Sequence, residues 1–522
     1  MKGPLFSILD GTASKFSRPI NDGCARRLPC RVVGKIPLRC RHRQHARPYS
    51  SSQLSPPSPG RRSLLTLAIE TSCDDTCVAI LERSGPAARL LFNKKVTSDN
   101  RAFGGVNPLV AIMSHTTSLA NLVREALPSL PEWVESAAAT DDAARGTPHV
   151  HGSDVLHVPN PSTGAPERRR KPDFVTVTRG PGIASALAAG LNTAKGLAVA
   201  WGVPLLGVHH MQAHALTPRL VNALEQPWVA PSEATSSSSS ITSPSPQFPF
   251  LTLLVSGGHT QLVLSTSLTA HAMLAEADSI AVGDMIDKGA RAILPASAKA
   301  SAPDVMYGAL LERFAYPDAA TAGYAYTPPA TRADELVPFD SGRGWTLQVP
   351  LPQRSSMAFN FTSLNGEVMR VAEARPAMPD DERRLLARAA MRLAFEHVAS
   401  RVVFALADLK KKAKQQQQVG ETAAAVKTLV VSGGVASNRF LMHLLRSVLD
   451  VRGFADVEIL APPPALCTDN AAMIAWTGTE MWEAGWRSNL EILVQAKWPM
   501  DSQHPDGGIL GLGGWEKRDG CA

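Results

Sequence analysis

The sequence predicts an α/β protein built as two lobes. Two observations carry this. The tetrapeptide Val-Ser-Gly-Gly occurs at 255–258 and again at 431–434, each time closing a short apolar run. Between its polar segments the chain alternates strand-like and helix-like runs. Paired glycines after a buried strand let backbone N–H groups approach a ligand without a Cβ in the way, and a nest of such groups favours phosphate oxygens. One such turn is ordinary. Two copies 176 residues apart imply a duplicated nucleotide-handling scaffold.

In chain order, residues 64–70 read as a first strand and 174–178 as a second, followed by Arg179-Gly-Pro-Gly182 and a helix. That helix, 183–201, is the most apolar segment, interrupted by Asn192, Thr193 and Lys195, and reads as buried. A strand at 203–208 leads into a helix at 209–220. Residues 250–256 and 260–265 flank the first glycine turn as a hairpin. A helix is expected over 280–293 and a long amphipathic one over 383–409. The strand 428–432, its turn and a helix over 438–449 repeat the strand–turn–helix unit. Three segments lack apolar periodicity and read as flexible insertions: 136–171, ending in Arg168-Arg-Arg-Lys171; 230–247, rich in Ser, Thr and Pro; and 410–425, rich in Lys and Gln. The Arg168–Lys171 run is either a solvated loop or an RNA contact.

The net charge of +7 suggests a nucleic-acid binder, but its distribution does not. Residues 1–49 hold 11 of the 53 Lys/Arg and 2 of the 46 Asp/Glu, so the remainder is slightly acidic. An Arg-rich, acid-poor, Ser-containing leader is the composition of a mitochondrial transit peptide, here with Arg47-Pro-Tyr-Ser-Ser as a cleavage-like site. Residues 1–62 are therefore expected to be presequence and lead. Three of the seven cysteines fall in that segment, and the others form no disulfide framework. No apolar stretch reaches the roughly 18–20 residues that span a bilayer.

His210-Met-Gln-Ala-His214 places two imidazoles at i and i+4 on one helix face, a spacing suited to a divalent cation. A metallopeptidase of the zincin type needs Glu directly after the first His, where this chain has Met211. A third ligand must come from elsewhere. Asp469 opens an apolar helix and is either that ligand or the helix N-cap. Glu70-Thr-Ser-Cys-Asp-Asp-Thr76 follows the first strand. Its hydroxyls and carboxylates bind phosphate and Mg²⁺, orient a nucleophile, or form a plain polar turn. Asp287-Lys288 lies in the predicted 280–293 helix and reads as a surface ion pair, and Gly308 as a helix start or a ribose-adjacent glycine.

These residues, taken together, match a family. Leu67-Ala-Ile-Glu-Thr-Ser-Cys-Asp-Asp-Thr76, Phe103-Gly-Gly-Val106 with His115, Arg179-Gly-Pro-Gly182 and His209-His-Met-Gln-Ala-His214 occur in order. Leu254-Val-Ser-Gly-Gly-His-Thr-Gln261, Gly283-Asp-Met-Ile-Asp-Lys288, Ser432-Gly-Gly-Val-Ala-Ser-Asn-Arg439 and Cys467-Thr-Asp-Asn470 follow. From about 64 to 485, between the insertions, the chain resembles the tRNA threonylcarbamoyladenosine transferases, once misnamed O-sialoglycoprotein endopeptidases, and most closely their mitochondrial members.

The resemblance implies an actin-like two-lobed fold of the sugar kinase and heat-shock ATPase superfamily. Its first lobe would hold 63–208 and 470–500, its second 209–469, with 501–522 a tail. It implies transfer of threonylcarbamoyl from threonylcarbamoyl-AMP to N6 of the adenine just 3′ of the anticodon (position 37), in mitochondrial tRNAs that read codons beginning with adenine. The implied ligands of one divalent cation (Zn, Fe, Mg or Mn) are His210, His214 and Asp469. Leu254, Val255, Ser256, Gly257, Gly258, Asp287, Gly308 and Asn438 would line the donor site, and Asp74 and Asp75 the reaction centre. The implied partners are tRNA, a separate synthase supplying threonylcarbamoyl-AMP, and a second copy in a homodimer, in the mitochondrial matrix and without a membrane. The chain departs from the family pattern at Phe361-Thr-Ser-Leu364, where a glycine is lost, at Tyr307-Gly308, and at Gln212. The competing classes are the metallopeptidase and a non-catalytic nucleotide-binding scaffold, which would have lost metal ligands or glycine turns.

Overall fold

A computed structural model describes residues 63–103, 105–134, 154–228, 244–300, 307–352, 356–418 and 425–518. The first sheet is built from β1 (Leu64–Glu70), β2 (Asp75–Ser84), β3 (Ala87–Thr97), β6 (Phe174–Gly180) and β7 (Leu205–His209), closed by β16 (Trp486–Ser488) and β17 (Trp515–Lys517). β1, β2 and β3 form an antiparallel meander, and β6 and β7 add in parallel on the other side of β1. The second sheet repeats this arrangement. β8 (Phe250–Val255), β9 (Thr260–Ser265) and β10 (His271–Ala277) form the meander. β14 (Thr428–Ser432) and β15 (Glu458–Leu460) add in parallel beside β8. The short β13 (Ala358–Phe359) edges β10. Two further ribbons pair β4 (Val155–Pro159) with β5 (Pro166–Arg170), and β11 (Phe339–Asp340) with β12 (Thr346–Leu347). The chain is thus a mixed α/β protein with two sheets of matching order.

Side-chain alternation along β1 divides the first core. Leu65, Leu67 and Ile69 point to α1 (Pro108–Ala126) and α2 (Ala184–Trp201), where Leu119, Leu122, Leu191 and Ala194 meet them. Ala68, with Phe174 and Leu206, points the other way, to α3 (His210–Glu225) and α9 (Ala471–Glu483). The second sheet buries Leu251, Leu253 and Leu262 against α4 (Val282–Ile293), α6 (Thr362–Ala374), α7 (Asp380–Gln418) and α8 (Arg439–Val451). Between them, α5 (Gly308–Ala315) adds Leu311.

Helix α3 lies between the sheets. Its Ala213, Leu216 and Leu220 pack on the first, and its Met211 and Ala215 join Leu254 and Val263 of the second. A helix covered on all sides must bury its polar groups with partners. Arg219 accordingly pairs with Glu480 and donates to the carbonyls of Pro244 and Pro246. No helix among the described residues is long and apolar enough to cross a membrane.

Three sequence expectations change. The 136–171 segment holds an ordered ribbon, β4–β5. Three of its basic residues bond locally: Arg170 donates to Ser63 Oγ (2.8 Å) and Asp173 Oδ2 (2.7 Å), Arg169 to Leu130 O (3.1 Å), and Lys171 to Trp201 O (2.9 Å). A strand of charged residues anchored by one buried arginine, Arg170, carries no apolar alternation to read. Within 410–425, α7 continues to Gln418, because Lys, Gln and Ala are good helix formers even without an apolar face. The expected tail, 501–522, is part of the molecule to residue 518. β17 extends the first sheet, and Ile509 is buried beside Met500 against the second. Residues 229–243, most of the second insertion, and the leader 1–62 lie outside the described residues.

Candidate functional site

The site starts at the N-terminus of α3. His209 is its N-cap: Nδ1 accepts the Gln212 N–H at 3.3 Å, and Nε2 donates to Trp498 O at 2.9 Å. Burial pushes its pKa down to about 3, so it stays neutral. One residue on, His210 and His214 stand a turn apart with ring centroids 4.7 Å from each other. Their Nε2 atoms lie 3.5 and 3.1 Å from Asp469 Oδ1. Among the described residues these three form the one cluster of His, Cys, Asp or Glu ligand atoms all within 4.8 Å of one another.

Asp469 is free for this because it is not the cap of α9. Asn470 is: its Oδ1 accepts the Met473 N–H at 3.0 Å. The N-cap reading of Asp469 is thereby excluded. The Asp469 side chain remains 25% exposed, so the cluster is open on one side.

Sequence reasoning missed Glu70, at the end of β1. It is fully buried and accepts from Ser72 N (2.6 Å) and from the Thr178 hydroxyl. Its Oε2 lies 3.2 Å from His210 Nδ1. Burial opposes the charged forms here, but the Glu70 and Asp469 carboxylates outweigh it and push His210 up to about 9. In turn His210 holds Glu70 low despite its burial, and His210 and His214 do the same for Asp469. Two imidazoles, one carboxylate and an outer carboxylate on the far ring nitrogen fit a divalent transition metal. A cation there would replace the His210 proton.

The acidic turn after β1 borders this cluster. His115 of α1 fixes it from below, with Nδ1 2.8 Å from Thr76 Oγ1 and Nε2 2.9 Å from Cys73 O. Asp75 accepts from Lys95 Nζ at 2.8 Å and from the Thr97 hydroxyl, whereas Asp74 has only a long 3.5 Å approach from Asn100 Nδ2 and the neighbouring Cys73 thiol. Burial, then the Asp75 charge, raises the Asp74 pKa.

The two glycine turns lie side by side, because β8 and β14 pair in parallel with Leu254 opposite Ser432. Gly433 sits at φ +96°, where a Cβ would stand 2.4 Å from Val255 O. Gly283, at the start of α4, approaches the first turn as closely: a Cβ there would stand 2.5 Å from Ser256 O. Gly257 and Gly258 remain exposed. His259, next in the turn, lies within electrostatic reach of His210, His214 and Asp469. Burial, then the nearby His210 and His214, lowers its pKa.

Asp287 and Gly308 are brought together. Asp287 Oδ1 accepts the Tyr307 N–H at 2.7 Å, and its other oxygen pairs with Arg291. The ion pair at 287–288 does not form: Lys288 pairs with Asp284 at 2.8 Å instead, four residues back on the helix. Asn438 caps α8, accepting the Leu441 N–H at 2.9 Å, and Glu312 of α5 accepts the Phe440 N–H at 2.9 Å. A separate cavity of about 850 Å³, lined by Tyr316, Tyr326, Phe339, Arg388 and Phe440, includes none of these site residues. The chemistry is therefore located by converging side chains, not by cavity size.

A family model described as tRNA N6-adenosine threonylcarbamoyltransferase matches residues 168–234 and 232–476. The mitochondrial enzyme of that name from Schizosaccharomyces pombe is 32% identical over 470 residues, 87% of this chain and 89% of its own length. The chain belongs to the tRNA N6-adenosine threonylcarbamoyltransferase family. Proteins of the same name from Cereibacter sphaeroides (30% identity; 87% of this chain, 98% of theirs) and Sinorhizobium medicae (29%; 84% and 95%) are similar across nearly their whole length. The chain is accordingly an enzyme, a transferase.

The departures from the transferase pattern have local explanations. Phe361 precedes α6 at φ −110°, and Thr362 and Ser363 lie within the helix, so no left-handed residue is required where the glycine is lost. Gln212 points away from His210 and His214, donating to Leu268 O at 2.7 Å. Glu70 itself stands in the quoted motif Leu67–Thr76. Its role was hidden because its partner His210 is 140 residues distant.

Proposed function

We propose that the chain transfers the threonylcarbamoyl group of threonylcarbamoyl-AMP to N6 of adenine 37 in mitochondrial tRNAs reading codons that begin with adenine, forming t6A. The observation that carries this reading is the convergence of His210, His214 and Asp469 beside the paired glycine turns. In this reading the three side chains hold one divalent cation: Zn²⁺ or Fe²⁺ by the donor set, Mg²⁺ or Mn²⁺ by the adenylate chemistry. When bound, it supplies charge neutralisation for the donor phosphate. The fold is the actin-like one, with lobes around the two sheets. Residues 1–62 comprise a mitochondrial transit peptide, removed up to about Tyr49, and a lead; the mature enzyme works in the matrix as a homodimer, and a separate synthase supplies the donor.

The residues then divide the work. Backbone N–H groups of Leu254–Gly258 cradle the donor phosphate, and Asp287, Gly308 and Asn438 hold its adenosine. The N6 amine attacks the carbamoyl carbon, the C–O bond to phosphate breaks, and AMP leaves with the electron pair. The amine is a weak nucleophile because its lone pair is delocalised into the ring. Asp74, with its raised pKa, accepts the proton as the bond forms. A metallopeptidase lacks its general base here, since Met211 follows His210. The deciding experiment is incubation of the mature protein with threonylcarbamoyl-AMP and unmodified tRNA, followed by nucleoside mass spectrometry. We expect t6A to form, and to fall by about 10²–10⁴-fold with Asp74→Asn. No t6A from the intact metal-loaded protein would reject the reading.

A further inference from the structure

Lys95 was not among the residues singled out by motif, yet it stands at a junction. In the β2–β3 register Asp75 lies opposite Thr97 and Cys77 opposite Lys95, so all four share the face that meets the 467–470 turn. Lys95 Nζ donates to Asp75 Oδ2 at 2.8 Å and to Thr468 Oγ1 at 3.1 Å. The Cys77 thiol approaches Asp469 O at 3.8 Å. The turn that presents Asp469 is therefore held from the first sheet by two side chains on adjacent strands. From its own side it is held by Asn470, whose Nδ2 donates to Leu466 O and Thr468 O.

Lys95 is more than a third exposed and the buried Asp75 keeps the Thr97 hydroxyl as a donor, so loss of the pair costs little stability. Its consequence lies in geometry. Thr468 is the residue before Asp469, and a shift of its backbone moves the Asp469 carboxylate relative to two imidazoles fixed on a fully packed helix. We propose that Lys95 is a positioning residue for the metal-ligand turn: its ammonium joins Asp75 to Thr468 and so sets Asp469 against His210 and His214. This rests on the reading of Asp469 as a metal ligand. It also separates the acid pair. Both Asp75 oxygens are taken up by Lys95 and Thr97, which leaves Asp74 as the carboxylate facing the reacting amine.

The test uses Co²⁺ as probe, on the protein from residue 63 onward with the rest of the chain intact. Co²⁺ affinity is measured by competition with a chromophoric chelator, and ligand geometry by the visible d–d bands. Lys95→Met should weaken Co²⁺ binding on the order of tenfold and alter the bands, with thermal stability nearly unchanged. Lys95→Arg, which keeps the cation and its reach, should restore affinity to within about threefold. Thr468→Val removes the other end of the bridge and should reproduce the Met variant, which covers the case that Lys95→Met folds poorly. Wild-type affinity and spectrum in Lys95→Met or Thr468→Val would overturn the proposal, as would an Arg variant as weak as Met. The outcomes separate the two readings: wild-type protein that binds no Co²⁺ fails the metal assignment, whereas wild-type protein that binds Co²⁺ but forms no t6A fails the proposed reaction and leaves Lys95 in place.

Discussion

At the scale of single residues the proposed metal site depends on Glu70 as much as on His210, His214 and Asp469. A ligating imidazole presents the correct nitrogen only if the other is held, and here Glu70 accepts from His210 Nδ1 at 3.2 Å while Nε2 faces Asp469. Glu70→Ala should lower divalent-metal affinity by about 10–100-fold, and Glu70→Gln by less, because the amide oxygen still accepts the Nδ1 proton. Equal affinity in all three proteins, by chelator competition, would remove Glu70 from the site. His210→Ala and His214→Ala should each lower metal content by elemental analysis without unfolding the chain. Full occupancy in the double variant would reject the ligand set. The histidine pair was legible because helical spacing alone puts i and i+4 on one face. Asp469 was legible only through the family resemblance, since an Asp before an apolar helix is a common N-cap. Its neighbour Asn470 takes that role, and nothing in one sequence says which of the two does.

At the scale of elements, periodic segments were readable and short ones were not. The long helix α7, the buried strands β8 and β14 and the hairpin around the first glycine turn follow from apolar patterning. The three-residue strands β16 and β17 are below the length at which alternation can be seen, and β5 is made of arginines. The glycine turns separate into structural and functional positions. Gly433 is required by the fold: its φ is +96° and a Cβ would collide with backbone at Val255. Gly258 has open space around its missing Cβ and no positive φ. Gly433→Ala should therefore destabilise the protein by about 1–3 kcal/mol, seen as a lower denaturation midpoint. Gly258→Ala should leave the midpoint unchanged and weaken donor binding, since its Cβ would project where the phosphate is expected. The reverse pattern in a urea titration and a donor-binding assay would show that the turn is used differently.

For the whole molecule, the duplicated tetrapeptide implied a duplicated scaffold, and the structure has two sheets whose central strands follow a matching order. The assignment of the last segment as a tail failed because a Gly-rich chain without periodicity still adds a strand and a buried side chain, Ile509. What the sequence could not show is how many histidines the two packed sheets and their helices would bury, and this gives the molecule a pH dependence. His209, His271 and His397 are all buried, and burial is the first cause that lowers each of their pKa values: His209 to about 3, His271 to about 4, His397 well below normal. His271 is held neutral, with Ser265 Oγ at 2.9 Å from Nδ1 and Leu268 O at 3.0 Å from Nε2. Below pH 6.5 the unfolded chain takes up protons on these rings and the folded chain does not, so stability falls as pH drops from about 6.5 towards 4. His271 alone would account for about 3 kcal/mol of that loss by pH 4. Urea midpoints at pH 7, 6 and 5 should decline in that order. His271→Gln, which cannot titrate, should flatten the decline while lowering the value at pH 7. A midpoint independent of pH between 7 and 5, or the wild-type slope in His271→Gln, would mean that these rings are protonated in the folded protein and that solvent reaches them.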